Sequence, residues 1–349
     1  MGQCPLCPAG AGRSFEGLGT AVIESFATAT ALASKYDQGP AGPQPGITVR
    51  NIKLFLDGVT TAPACTGAML SPYFVDQGTA GEPRWVPGTN RGPDVYFPAS
   101  VLHLLLIEAA RAGLEPHMHA DGDRAVHEAL DGIQALRKFF PGTSIRAAIA
   151  HDEIVDPADV PRFKELDAIP VLSFQWEKSA SDTLDGAQDS LGPERFKYLE
   201  PAGHLAAAGA RIAYGSDWPV DALNGWFAIK VGVTRENDPA AGAKYAGRLG
   251  SDPGLTLPAA IRAITASSSY ELHAEADLGS LEVGKLADFI VLDRKHLRDP
   301  AARDRRREGA ADSGRRALRA SRRDVRRERL TRVRVSAESA YSCAVSRIS

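Results

Sequence analysis

From residue 47 the chain alternates short β-branched, apolar runs with longer amphipathic ones, and this rhythm constrains its fold more than any other feature. Residues 47–55 read as a strand stopped by Asp57-Gly58. Residues 99–112 read as a helix, 115–119 as a strand, and 123–139 as an amphipathic helix with Asp123 as its N-cap. A strand over 144–151, a helix over 157–166 and a strand over 169–176 follow. Then come a broadly helical stretch over 192–208 and a strand over 211–214. Such alternation predicts an α/β fold, in which crossover helices join parallel strands.

The predicted strand ends carry the chemistry. The first strand bears Lys53, the second ends in His119, the third in His151, the fourth in Gln175-Trp176, and Asp217 follows the fifth. Parallel barrels place their active sites at the C-terminal ends of the strands. Neutral imidazoles bind divalent metal, and a carboxylate can bind metal or take a proton from water. A lysine fits such a set if its amine is buried, because burial favours the neutral form, which can be carboxylated to a metal-bridging carbamate. The long Gly- and Pro-rich stretch over 59–98 is expected to be a loop or lid.

Five segments then resemble one family in order and spacing. They are Ile52-Lys-Leu-Phe-Leu-Asp-Gly58, His119-Ala-Asp-Gly-Asp-Arg-Ala125, Ile149-Ala-His-Asp-Glu153, Tyr214-Gly-Ser-Asp-Trp-Pro-Val220 and the stretch 278–293. The chain resembles the amidohydrolase superfamily, specifically amidohydrolase family 3, across residues 46–294. The resemblance implies a distorted (β/α)8 TIM-type barrel, here incomplete with strands four to eight present, and a fragment of a small β-sandwich. It implies a carboxylated Lys53, metal ligands at His119 and His151, and Asp217 as both metal ligand and general base. The cofactor would be a divalent metal, zinc first, as one or two ions. The reaction would be hydrolysis of a carbon–nitrogen bond other than a peptide bond in a small amide-type substrate. Trp85, Gln175, Trp176 and Arg235 are expected to line the substrate pocket, and Arg195 to hold loops together.

Two departures shape the remaining expectations. The family's strand-one His-x-His is not found, since residues 1–52 hold no histidine. His117-Met118-His119 has the spacing but matches the fifth strand, so His117 is taken as a polar neighbour, and His103, His127, His204, His273 and His296 as structural. From residue 301 there are 15 basic residues, all arginine, against 6 acidic ones. The text after residue 294 is aperiodic, as an out-of-frame tail would be, and the N-terminus reads as truncated; an intact reading frame with the same tail would contradict this. The expected parts are therefore a loop-rich, partly helical segment over 1–45, with a helix at 20–34, barrel over 46–276, sandwich over 277–294 and a disordered tail over 295–349.

Other classes are weaker. An impaired fragment of such an enzyme is one alternative. Nucleic-acid binding by the arginine tail is another, but acidic residues interrupt the tail and no recognisable nucleic-acid fold accompanies it. With 44% apolar and 24% charged residues the composition is that of a globular protein. No apolar stretch is long enough to cross a membrane, and no secretory signal is seen, so a cytoplasmic location is expected. Cys4-Pro-Leu-Cys7 lacks the second pair of a zinc site, and four cysteines do not make a disulfide framework.

Overall fold

The computed structural model describes residues 15–37, 47–79 and 81–290. The two N-terminal cysteines, His296, the arginine tail and residues 291–294 lie outside them. The described residues fall into two compact units. The first draws on Met1–Val171, Ala180–Arg211 and Gly250–Asp252; the second on Leu172–Ser179, Ile212–Leu249 and Pro253–Ser349.

The first unit begins with helix α1 (Phe15–Tyr36) and strand β1 (Asn51–Phe55). A two-stranded antiparallel hairpin of β2 (Phe74–Asp76) and β3 (Trp85–Pro87) then interrupts the stretch expected to be loop. Helix α2 (Ala99–Arg111), strand β4 (Glu115–Ala120), helix α3 (Asp123–Phe139), strand β5 (Ala148–His151), helix α4 (Val160–Glu165) and strand β6 (Ile169–Leu172) follow. Within the unit β1, β4, β5 and β6 pair side by side, all parallel, as the alternation predicts. Helices α5 (Gln188–Phe196) and α6 (Ala202–Ala207) replace the one helix expected over 192–208; the chain leaves the helix between them, where Glu200 has φ 54°, and Gly192, at φ 75°, kinks α5 itself.

Periodicity explains the packing. In α3 the residues Ala125, Val126, Ala129, Leu130, Ile133 and Leu136 recur at three- and four-residue spacing and are buried. In α2 the buried stripe is Leu102, Leu105, Leu106 and Ala109. The two helices approach closely at Gly132, where a Cβ would come 2.7 Å from Leu106 Cδ1. Leu105, Ala109 and Leu114 also form a cluster with Phe26 and Ala33 of α1. Asp123 is not the cap of α3. Gly122 holds that position, and the Ala68 carbonyl accepts from the free backbone N–H groups of Arg124 and Ala125. A side chain at 122 would put its Cβ 2.1 Å from that carbonyl.

In the second unit the chain leaves β6 into a 3-10 turn, Phe174–Trp176, where a longer strand was expected. Strand β7 (Ala213–Tyr214) follows, and Gly215 N donates to the Leu172 carbonyl. Helix α7 (Gly225–Thr234) is capped by Asn224, which accepts from Phe227 N, and α8 (Leu257–Arg262) by Thr256. A π-helical turn leads into α9 (Ser268–Glu271), whose Ser268 Oγ accepts from Tyr214 N. Residues 279–290 form turns, with Leu286 N bonded to the Asp277 carbonyl, and no strand among the described residues. The sandwich fragment expected over 277–294 extends into residues 291–294, which lie outside the described residues.

Candidate metal centre

Register builds the site. On β1 and β4, Lys53 stands opposite His117 and Phe55 opposite His119, so alternation puts all four on one face. His151 pairs with Ala120, and strict alternation would turn it to the other face. The strand ends there instead, with His151 at φ 82° and Asp152 at φ 51°. Leaving the pleat brings the His151 ring edge-on to His119, with centroids 4.6 Å apart. Both imidazoles are buried. His119 Nε2 lies 2.8 Å from the Gly58 carbonyl, which can only accept, so Nε2 carries the proton and Nδ1 keeps its lone pair. Burial, then the charges of His119, Lys53 and His117, push the His151 pKa down to about 3. His151 is thus neutral at ordinary pH, the form that binds metal.

Carboxylates crowd behind the imidazoles. Asp57 Oδ1 and Asp121 Oδ1 lie 3.5 and 3.6 Å from His119 Nε2. Asp57 is tied down, accepting from the backbone N–H groups of Ala68, Asp121 and Gly122. Burial nevertheless raises its pKa to about 6, against the pull of those bonds and of Arg124. Glu153 accepts from the Thr60 hydroxyl, and burial lifts it to about 7. Asp121 and Asp152 are pushed well above the usual carboxylate range, both by burial and Asp121 also by the negative charges of Glu153, Asp57, Glu200 and Asp152. Asp121 Oδ1 and both oxygens of Asp152 are buried without a hydrogen bond. His119, Asp121 and His151 each offer a donor atom within 4.8 Å of the others. Two imidazoles and an unsatisfied buried carboxylate fit a divalent cation.

Asp57, Asp121, Asp152 and Glu153 were not predicted as site residues. Their signal was the Asp-Gly pairs closing β1 and β4 and the Asp-Glu pair after His151, which read as punctuation. Lys53 departs from expectation. It is exposed rather than buried, with Nζ 5.4 Å from the Phe55 ring centre. Among the described residues β1 pairs with β4 alone, so Lys53 stands on an edge strand.

Asp217 belongs to the second unit, where it is exposed just beyond β7 at φ 52°, with no helix starting on it. Gln175 in that unit is buried and held at both ends of its amide. Its Nε2 donates to the Ser216 carbonyl, and its Oε1 accepts from the Tyr214 hydroxyl. The Trp176 indole donates to Asp221. Arg235, expected on a pocket wall, is instead sealed at 0% exposure, with Nε on the Leu249 carbonyl and one guanidinium nitrogen 3.5 Å from Glu177. In the first unit Trp85 is exposed on β3. Arg195 does hold loops together, donating to the carbonyls of Ser71 and Pro72. His127 is structural as expected, bonded to Asp159.

Comparison with known proteins adds a second line. A family model described as the amidohydrolase family matches residues 11–321. The protein LONG AFTER FAR-RED 3 of Arabidopsis thaliana is 30% identical over 206 residues, covering 58% of this chain and 33% of that one. The N-substituted formamide deformylase of Arthrobacter pascens is 26% identical over 203 residues, 57% of this chain and 35% of that one. The chain thus spans about a third of the length of these relatives. A crystal structure of an uncharacterized metal-dependent hydrolase from Pyrococcus furiosus superposes with a TM-score of 0.58 at 24% identity, covering 79% of this chain and 50% of that one. At that identity the likeness speaks for the fold.

Proposed function

The chain belongs to the amidohydrolase family, and on that premise we propose that it serves metal-dependent hydrolysis of a carbon–nitrogen bond other than a peptide bond. The observation that carries this reading is the buried, edge-on pair of His119 and His151, with His151 held neutral. The name of the Arthrobacter relative, a deformylase of N-substituted formamides, points to the same bond class. In this reading β1, β4, β5, β6 and β7 take the places of barrel strands four to eight, and residues 277–294 belong to a sandwich.

His119 and His151 would hold the cation, with Lys53, once carboxylated, and Asp217 as the further ligands the family pattern assigns; zinc suits the imidazole donors. When bound, the ion supplies Lewis acidity and an acidified water. The Gly58 carbonyl fixes the tautomer of His119, so the ring need not reorganise. Asp217 takes a proton from the attacking water and delivers it to the leaving nitrogen, so the C–N bond breaks as a C–O bond forms. Trp85 and Trp176 contact the substrate, and Gln175, bonded at both ends of its amide, positions the loop that carries Trp176. Arg235, being sealed, acts at most through Glu177.

The test is amine release from a panel of N-formyl and N-acyl amides by the full chain reconstituted with zinc, cobalt or manganese. Asp217→Asn is expected to lower kcat on the order of 100-fold with little change in KM. An unchanged kcat removes Asp217 from the chemistry.

A further inference from the structure

The family pattern does not account for Asp121, and its surroundings do not read as structural. Asp57, its neighbour across the turn, satisfies three backbone N–H groups. Asp121 does nothing of the kind. Its Oδ1 is buried without a hydrogen bond, and Asp121, His119 and His151 each offer a donor atom within 4.8 Å of the others. An unpaired buried carboxylate is among the more expensive groups a fold can keep. Its position is also fixed from both sides. The Asp121 amide donates to Asp57 Oδ1, and its carbonyl accepts from Ile154 N. These bonds fix the Asp121 backbone at the end of β4.

We propose that Asp121 is a metal ligand, the third donor of a His119–Asp121–His151 set that lies wholly within the first unit. The proposal rests on the reading of His119 and His151 as a metal centre. A carboxylate and two imidazoles are a donor set that suits zinc or cobalt. The cation also explains why carboxylates are gathered here, since it offsets the negative charge they place around Asp121.

Cobalt titration of the chelator-stripped full chain tests this, followed by calorimetry and visible absorption. Asp121→Asn is expected to weaken binding at least about 10-fold and to change the cobalt spectrum, while the exposed-site control Asp94→Asn leaves both unchanged. Asp121→Cys should bring a thiolate-to-cobalt absorption band in the near ultraviolet that the unmutated chain, with Cys4, Cys7, Cys65 and Cys343 present, does not show. His151→Ala should lose binding. If His151→Ala loses cobalt but Asp121→Asn binds as tightly as the unmutated chain, Asp121 is not a ligand and the histidine reading stands. If His151→Ala binds normally, or the unmutated chain binds no cobalt, both readings fail. Where Asp121→Asn does not fold, Asp121→Cys decides, and a folded variant without the new band overturns the proposal.

Discussion

Around Arg235 in the second unit, a sealed guanidinium faces the Glu177 carboxylate and the Leu249 carbonyl, and Gln175 next to Glu177 is bonded at both ends of its amide. Around His119 in the first unit, carboxylates face carboxylates, and buried oxygens of Asp121 and Asp152 lack donors. Both regions are buried and each has a buried carboxylate oxygen without a hydrogen bond, so neither burial nor an unfilled acceptor separates them. Charge does. A carboxylate that faces a guanidinium specifies a loop geometry, whereas carboxylates gathered against one another are arranged for a cation that arrives from outside.

The comparison can be broken at its most tightly coupled pair. Arg235→Ala removes the guanidinium that faces the buried Glu177 and is expected to cost about 3–5 kcal/mol, read as a lower denaturant midpoint. A loss below about 1 kcal/mol would mean that the second region is not structural. Asp57 belongs to the first region but is itself well partnered, so it sharpens the contrast. Asp57→Asn turns one acceptor into a donor facing backbone N–H groups and should cost about 2 kcal/mol. The same change at Asp121 should leave the metal-stripped protein no less stable, because it removes charge from a crowd.

A smaller effect concerns pH. Asp57 and Glu153 titrate near 6 and near 7 in the folded chain, above their usual 3.8 and 4.5. The folded state therefore binds more protons between those values, and stability falls as pH rises through the window. His151, lowered to about 3, works the other way below 6.5. Two carboxylates against one imidazole leave the metal-stripped chain more stable at pH 5 than at pH 7.5, and added zinc should shrink that difference. Urea melts at the two pH values check it; greater stability at pH 7.5 contradicts the carboxylate crowding. Smallest of all, Trp176→Phe forfeits the indole bond to Asp221 and should cost about 1 kcal/mol by the same measurement.

Much of this was legible in the sequence, and the rest was hidden for identifiable reasons. Periodicity located α3 to the residue, because its apolar stripe is long and regular. It also put His119 and His151 at strand ends. It overran β6, because Phe174-Gln175-Trp176 is apolar enough for a strand. Phe174 instead lies against Gly232 and the Tyr214 ring, and the backbone turns. It read Asp57 and Asp121 as stop signals because Asp-Gly ends strands whatever its carboxylate does afterwards. Lys53 was expected to be buried because only a buried amine fits a metal set, whereas burial depends on what covers the β1 edge. The positive φ of His151, which turns its ring toward His119, has no marker in the residue type.

The central claim is that His119 and His151 form a metal centre. Elemental analysis of the full chain, purified without chelator, beside His119→Ala and His151→Ala tests it most directly. The account predicts a stoichiometric divalent metal in the unmutated chain, lost in both variants while their folded content is kept. Near-zero metal in the unmutated chain, or equal metal in all three, contradicts it.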